Sequence, residues 1–346
     1  MKRHILLIAL LVYVMLFNVG CGNDTNKIDL GKYSDATTKE NNTNVPNENT
    51  KPVAENEVYY LVGMHIILPY WQDHRRGWET AANELGVKAI FTGENGNDAA
   101  RQVDIFEQVI AKNPAGILVS PIDPQMMIAP INKAIDMGIP VICIDTDSPK
   151  SKRLTYLGTD NYASGYRAGE ILAKAIGNSG DVGILTIPGI YSLDERQRGF
   201  EEYLKQNHPD IKVVSVLNDE ADPSKATNAA AQMLKAVPNI SGIFGTDAAS
   251  GVGAAVALRK VDKLGKVKIV VFDKDSSVLE LVEQGEIEAT LIQRTFTMSY
   301  YGLKFLYDVK HKNITMASDM TGLNPLPPWV DTGIIAVRKE DAYKFK

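Results

Sequence analysis

Several side chains suited to ring stacking or paired hydrogen bonding stand at the ends of short apolar runs. Tyr70 and Trp71 follow YYLVGMHI in the stretch HIILPYWQDHRRGW, Ser120 falls at the end of GILVSP, and Asp145 ends VICID with Asp147 two residues on. Asp247 ends GIFGTD, Asp273 ends KIVVFD, Gln293 ends EATLIQ, and Arg196 lies in SLDERQRGF just after VGILTI. Carboxylates accept two hydroxyl hydrogens each, and Arg and Gln supply donors in fixed planar forks. With two aromatic faces beside them, this is the chemistry of sugar recognition: a pyranose or furanose lays its C–H faces on rings and its hydroxyls against bidentate groups. Burying such groups without hydroxyls or waters is costly. Plainer roles compete. Tyr70 and Trp71 could cap a core, Asp145, Asp247 and Asp273 could be helix N-caps, Asp147 could be solvated, and Arg196 could pair with Asp194 or Glu195 at the surface. Trp78 reads as core.

The elements that must position these groups are legible as an alternation. Apolar runs at 59–66, 88–93, 116–121, 141–145, 155–159, 182–187, 212–217, 242–247, 268–273, 288–293 and 332–337 are bounded by Gly, Pro, Asp or Ser, as for parallel strands covered on both faces. Helix-like stretches separate them; over 71–86, Trp78, Ala81, Ala82 and Leu85 form one stripe. The alternation predicts right-handed βαβ crossovers in an α/β fold. So many strands divide more naturally into two doubly wound parallel-sheet lobes of five or six strands than into one sheet. Ligands of such sheets bind beyond the carboxyl ends of the strands, where every candidate residue falls.

Other classes fit poorly. The formal charge of −5 and the lack of a dense Lys/Arg cluster after the N-terminus argue against nucleic acid. In GIFGTDAASGVGAAV, Gly251 and Gly253 are followed by Val256 where a dinucleotide fingerprint needs a third small residue. In DKDSSVLELVEQ, Val278 and Gln284 occupy the positions where a calcium loop needs Gly and Glu. The scattered histidines give no zinc spacing, so no metal or other cofactor is expected. Asp145 with Asp273 could imitate a glycosidase pair, which leaves a hydrolase as the enzymatic alternative to pure binding.

Lys2 and Arg3 precede an apolar run from Ile5 to Phe17, the layout of an export signal over 1–20. Cys21 after Val19 and Gly20 resembles the lipobox of bacterial lipoproteins, with Asn18 where that pattern usually has Leu. A lipid anchor on Cys21 is the expectation, an uncleaved signal anchor its alternative, and the body lies outside the cytoplasm either way. With Cys21 lipidated, Cys143 has no disulfide partner and reads as a small buried hydrophobe. Residues 21–57 are rich in Asn, Thr, Lys, Glu and Pro and read as a tether with a reach of roughly 30 to 36 Å.

LPYWQ, ILVSPID, VICIDTD, YLGTDNYASGYRAGE, ERQRGF, IFGTDAASGVGAAVAL, VVFDKD with GEIEATLIQ, and DTGIIAV occur in an order that resembles the ribose-binding protein family, the type I periplasmic solute-binding proteins for sugars. The resemblance implies stacking aromatics at Tyr70 and Trp71, carboxylates at Asp145 and Asp273, a guanidinium at Arg196 and a hinge amide at Gln293. Asp247 stands where members often have Asn, Thr146 and Asp147 follow Asp145 where many have Arg, and Ala221 replaces an expected aromatic. WQDHR and ENGND resemble the xylose-binding branch. The family implies a monosaccharide ligand, pentose or hexose, a hinged clamp that closes on it, and delivery to an ABC-type permease. Presentation of the closed state to a membrane histidine kinase is the alternative. It also implies an N-terminal lobe of 58–159 plus 294–331 and a C-terminal lobe of 160–293 plus 332–346. The crossings fall near Thr159–Asn161, Gln293–Arg294 and Asp331–Gly333.

Overall fold

The computed structural model describes residues 57–314 and 325–346. The export signal over 1–20, the lipidation site at Cys21 and all but the last residue of the tether lie outside them. The strands are β1 (Val58–Gly63), β2 (Lys88–Gly93), β3 (Gly116–Val119), β4 (Val141–Ile144), β5 (Tyr156–Gly158), β6 (Gly180–Thr186), β7 (Ile211–Asn218), β8 (Gly242–Gly245), β9 (Lys268–Phe272), β10 (Ala289–Gln293), β11 (Trp329–Asp331) and β12 (Ile334–Val337). The helices are α1 (Trp71–Leu85), α2 (Ala99–Ile110), α3 (Ile128–Asp136), α4 (Asn161–Ala175), α5 (Tyr191–Asn207), α6 (Pro223–Ala236), α7 (Ala248–Arg259), α8 (Ser276–Gln284) and α9 (Thr295–Lys310).

Two six-stranded sheets result, in the orders β11-β5-β4-β3-β1-β2 and β12-β10-β9-β8-β6-β7. Neighbours are parallel except β10 and β12. The winding reverses between β1 and β3 in one sheet and between β6 and β8 in the other, the switch points at which ligands bind. Continuous apolar runs make the central strands because both faces are covered. Leu118, Ile142 and Ile144 enter one core while Ile117, Val119, Val141 and Cys143 enter the core on the opposite face. Edge strand β7 alternates instead and leaves Val214 and Val216 exposed.

Every expected run contains a strand, with three differences. The first strand stops at Gly63, because His65 turns the chain at φ 46°. The short edge strand β11 was not expected, and β12 runs antiparallel in an otherwise parallel sheet. The chain passes between the sheets after β5, after β10 and after β11, and these passages are tied together. Thr159 Oγ1 donates to Gln293 Oε1 at 3.0 Å, and Asp331 Oδ1 accepts from the Asp160 and Gly333 amides at 3.2 and 2.8 Å.

Helices α4 and α5 cross where each presents a glycine. A Cβ on Gly165 would overlap the carbonyl oxygen of Arg196, and one on Gly199 would overlap that of Tyr162. Backbone cannot yield as a flexible side chain can, so Gly165→Ala is expected to lower stability by about 1–3 kcal/mol in urea denaturation. An unchanged midpoint would contradict this close crossing.

Candidate functional site

The carboxyl ends of both sheets open on one cavity of about 320 Å³, at the small end of small-molecule sites, roughly 300–1,000 Å³. Its lining includes Tyr70, Trp71, Asp145, Arg196, Asp247, Asp273 and Gln293.

Asp145 and Asp273 occupy matching positions, one past β4 and one past β9, and both take the left-handed conformation, at φ 62° and 74°. Aspartate tolerates it better than most residues. Each is pinned from the adjacent strand: the Asp145 carbonyl accepts from Tyr156 OH at 2.7 Å and the Asp273 carbonyl from Thr290 Oγ1 at 2.5 Å. The turned backbone aims the carboxyls at the cavity rather than along the strand. Asp145 Oδ1 accepts from Tyr70 OH at 2.6 Å and Oδ2 from Ser120 Oγ at 2.8 Å. Gln293 Nε2 donates to Asp273 Oδ1 and to Tyr70 OH, each at 3.2 Å. Burial pushes the Asp273 carboxyl up to about 7 against the pull of Arg196 and Gln293, and burial with Asp145 nearby keeps the Tyr70 phenol protonated.

Arg196 is 2 % exposed, so it is not a surface partner of Asp194 or Glu195. Its Nε donates to Asn161 Oδ1 at 2.9 Å, its Nη1 to the Thr246 carbonyl at 2.7 Å, and its guanidinium lies 3.9 Å from the Phe272 ring centroid. Asp247 is the N-cap of α7 and also lines the cavity. Its Oδ1 caps α7 by accepting from the Ser250 amide at 3.0 Å, and its Oδ2 is buried without a hydrogen-bond partner among the described residues. Trp71 is both core and wall: it is 2 % exposed, packs against His74 with ring centroids 4.6 Å apart, and still reaches the cavity.

Ser120 and Asp147 do not line the cavity. Ser120 is wholly buried behind Asp145 and holds its carboxylate from the rear. Asp147 is gripped by both Arg153 Nε and Arg153 Nη2, while Arg153 Nη1 donates to the Pro328 carbonyl at 2.8 Å. It fastens the loop before β5 to the chain entering β11, and is paired rather than solvated.

Sequence reasoning missed the wall contributed by Ile187, Ile190 and Leu193, which pack in one cluster with Met64 and Ile122 from the other lobe. TIPGI carries no helical or strand period to announce it. Two further links span the lobes: Thr146 Oγ1 donates to Ser192 Oγ at 3.0 Å, and Lys274 pairs with Asp73. The lobes are therefore apposed over the cavity. Ala221 lines it where an aromatic was expected. Among the described residues no cluster of His, Cys, Asp and Glu is arranged to hold a metal ion.

Two α/β lobes hinged at three tied passages, with strand ends facing across one cavity, define a two-lobed binding protein. The chain belongs to the family of the periplasmic binding protein domain, whose profile matches residues 60–313. It is 29% identical over 262 residues to the D-allose-binding periplasmic protein of Escherichia coli strain K12, covering 73% of this chain and 84% of that one. Among solved structures, a sugar ABC transporter sugar-binding protein from Bacillus halodurans is 37% identical, with TM-score 0.77 over 84% of this chain and 100% of its own. AraP, an arabinose binding protein from Geobacillus stearothermophilus, is also 37% identical, with TM-score 0.72 over 84% of this chain and 99% of its own.

Proposed function

We propose that this protein is an extracytoplasmic sugar-binding protein, anchored by lipid on Cys21, that closes around a monosaccharide and delivers it to an ABC-type permease. The observation that carries the reading is the convergence of Tyr70, Trp71, Asp145, Arg196, Asp273 and Gln293 on one cavity of about 320 Å³. Tyr70 and Trp71 supply the apolar side for C–H faces. Asp145 and Asp273 accept hydroxyl hydrogens from opposite lobes, Arg196 donates to ring or hydroxyl oxygens, and Gln293 senses both the ligand side and the hinge. Contacts from both lobes favour the closed form by differential affinity. The relatives' recorded roles, D-allose binding, arabinose binding and sugar ABC transport, support a pentose or hexose and a transporter partner.

A thermal-shift screen across pentoses, hexoses and their phosphates tests the ligand class. A true ligand at 100 times its dissociation constant adds about 2.7 kcal/mol of stability, and solution scattering should show compaction with the same compound. A sugar that binds without compaction would sink the clamp. Uptake into vesicles bearing the permease separates delivery from presentation to a histidine kinase. A wild-type chain that incorporates no labelled fatty acid, or incorporates as much as Cys21→Ser, would refute the anchor.

A further inference from the structure

We propose that Asp219 and Asp247 act as one acidic pair, bridged by Ser250, that ties ligand capture in this cavity to the uptake of a proton. The inference rests on the cavity's reading as a sugar site and makes Asp219, which does not line it, a positioning residue for Asp247.

Asp219 follows β7 and is wholly buried. Its Oδ1 accepts from the Ala221 amide at 3.2 Å and its Oδ2 from Ser250 Oγ at 2.5 Å. The same serine's amide donates to Asp247 Oδ1 at 3.0 Å, and Asp247, a lining residue of the cavity, keeps its Oδ2 buried and without a hydrogen-bond partner among the described residues. Two carboxyls clamped on one serine resist ionising together.

The surroundings offer no relief. Asp273 and Asp275, both raised by burial, line the same cavity from the turn after β9, and Asp145 and His65 face it from the opposite lobe. Arg196 on α5 spends its Nη1 on the Thr246 carbonyl. Glu220 pairs with Lys225 on the exterior, and Asp222 caps α6. Among the described residues no Lys, Arg or His forms an ion pair with Asp219 or Asp247. Burial, with the neighbouring Asp219 next, raises the Asp247 carboxyl to about 7, and burial raises Asp219 as well.

A protonated Asp247 offers a sugar hydroxyl one donor and one acceptor, the inventory of an amide, whereas the ionised form only accepts. Opening the cleft wets Asp247 and lets it release its proton at lower pH. Closure at intermediate pH takes the proton back. A carboxyl raised in the closed state favours closure most below its open-state value, and that advantage is lost as pH rises to about 7. Affinity therefore falls towards neutrality and levels off above it.

The test is titration calorimetry with whichever sugar gives the largest thermal shift, in buffers of different ionisation enthalpy, from about pH 5.5 to about pH 8. Wild type is expected to lose about tenfold in affinity across that range and to take up protons on binding near the lower end. Asp247→Asn should make the profile shallower by removing the uptake that Asp247 provides and leaving that of Asp273, which burial also raises to about 7; Asp219→Asn should move the Asp247 part of the fall to lower pH. A flat wild-type profile without proton uptake overturns the proposal, as does an Asp247→Asn protein that keeps the wild-type profile. If no sugar binds at any pH, the sugar reading fails, and carboxyl carbon NMR of the free protein decides about the pair. A raised Asp219 midpoint, read because Asp219 lies off the cavity, that drops in Asp247→Asn upholds it, and an ordinary Asp219 midpoint indifferent to that change refutes it.

Discussion

Arg196→Met is expected to weaken sugar binding by at least about 100-fold and to lower stability by about 2–4 kcal/mol. Methionine fills much of the volume over Phe272 but donates nothing. The Asn161 amide oxygen and the Thr246 carbonyl, both fixed on Arg196, lose their donor, and each buried acceptor left unpaired costs about 1–3 kcal/mol. The loss in binding has a second source. Asp145, Asp247 and Asp273 share the cavity with Arg196, so removing the guanidinium leaves those carboxyls facing one another without a cation. Arg196→Lys separates charge from geometry: an ammonium keeps the charge but cannot reach Asn161 and Thr246 as a planar fork. It should recover part of the stability and little of the binding. Calorimetry and urea denaturation check both quantities, and a methionine variant that binds within tenfold of wild type would remove Arg196 from the site.

A pair of substitutions at Asp145 gives the second large effect. Asp145→Ala leaves the Tyr70 and Ser120 hydroxyls without their shared acceptor, for an expected loss of about 2–4 kcal/mol and of measurable sugar binding. Alanine must also hold φ 62°, where its Cβ crowds the backbone. Asp145→Gly removes the same carboxylate without that strain, so it should be more stable than the alanine variant by about 1 kcal/mol, although glycine loosens the unfolded chain. Equal stabilities would mean that the left-handed turn costs nothing and that the Tyr156 hydroxyl does not hold it in place.

The fold was legible because burial on both faces writes itself as unbroken apolar runs. VICID and GILVSP could hardly be anything but central strands, and the polar residue closing each run marks the end that faces a ligand. The antiparallel course of β12 was hidden, since pairing direction is decided by a partner far away in the chain. Trp329–Asp331 was hidden for a different reason: three half-wet residues on an edge carry no pattern. Within the site, sequence position placed Asp145, Arg196, Asp273 and Gln293 around one cavity but could not separate a carboxylate that faces it from one that faces away. Asp147 stands two residues from Asp145, and only the side of the loop on which Arg153 arrives sends it to the chain entering β11. Asp219 escaped notice because it follows an edge strand whose alternation reads as solvated, while its side chain turns inward to Ser250.

The location of Trp71 gives the molecule an optical gauge of its own. Of the three tryptophans in the chain, Trp78 is sealed in the core at 1 % exposure and Trp329 sits on the outer edge at 42 %, and neither lines the cavity. Trp71 alone borders the cavity. Its fluorescence should shift to longer wavelength as the jaws part and water reaches the indole, allowing the opening rate to be followed by stopped flow without attaching a dye.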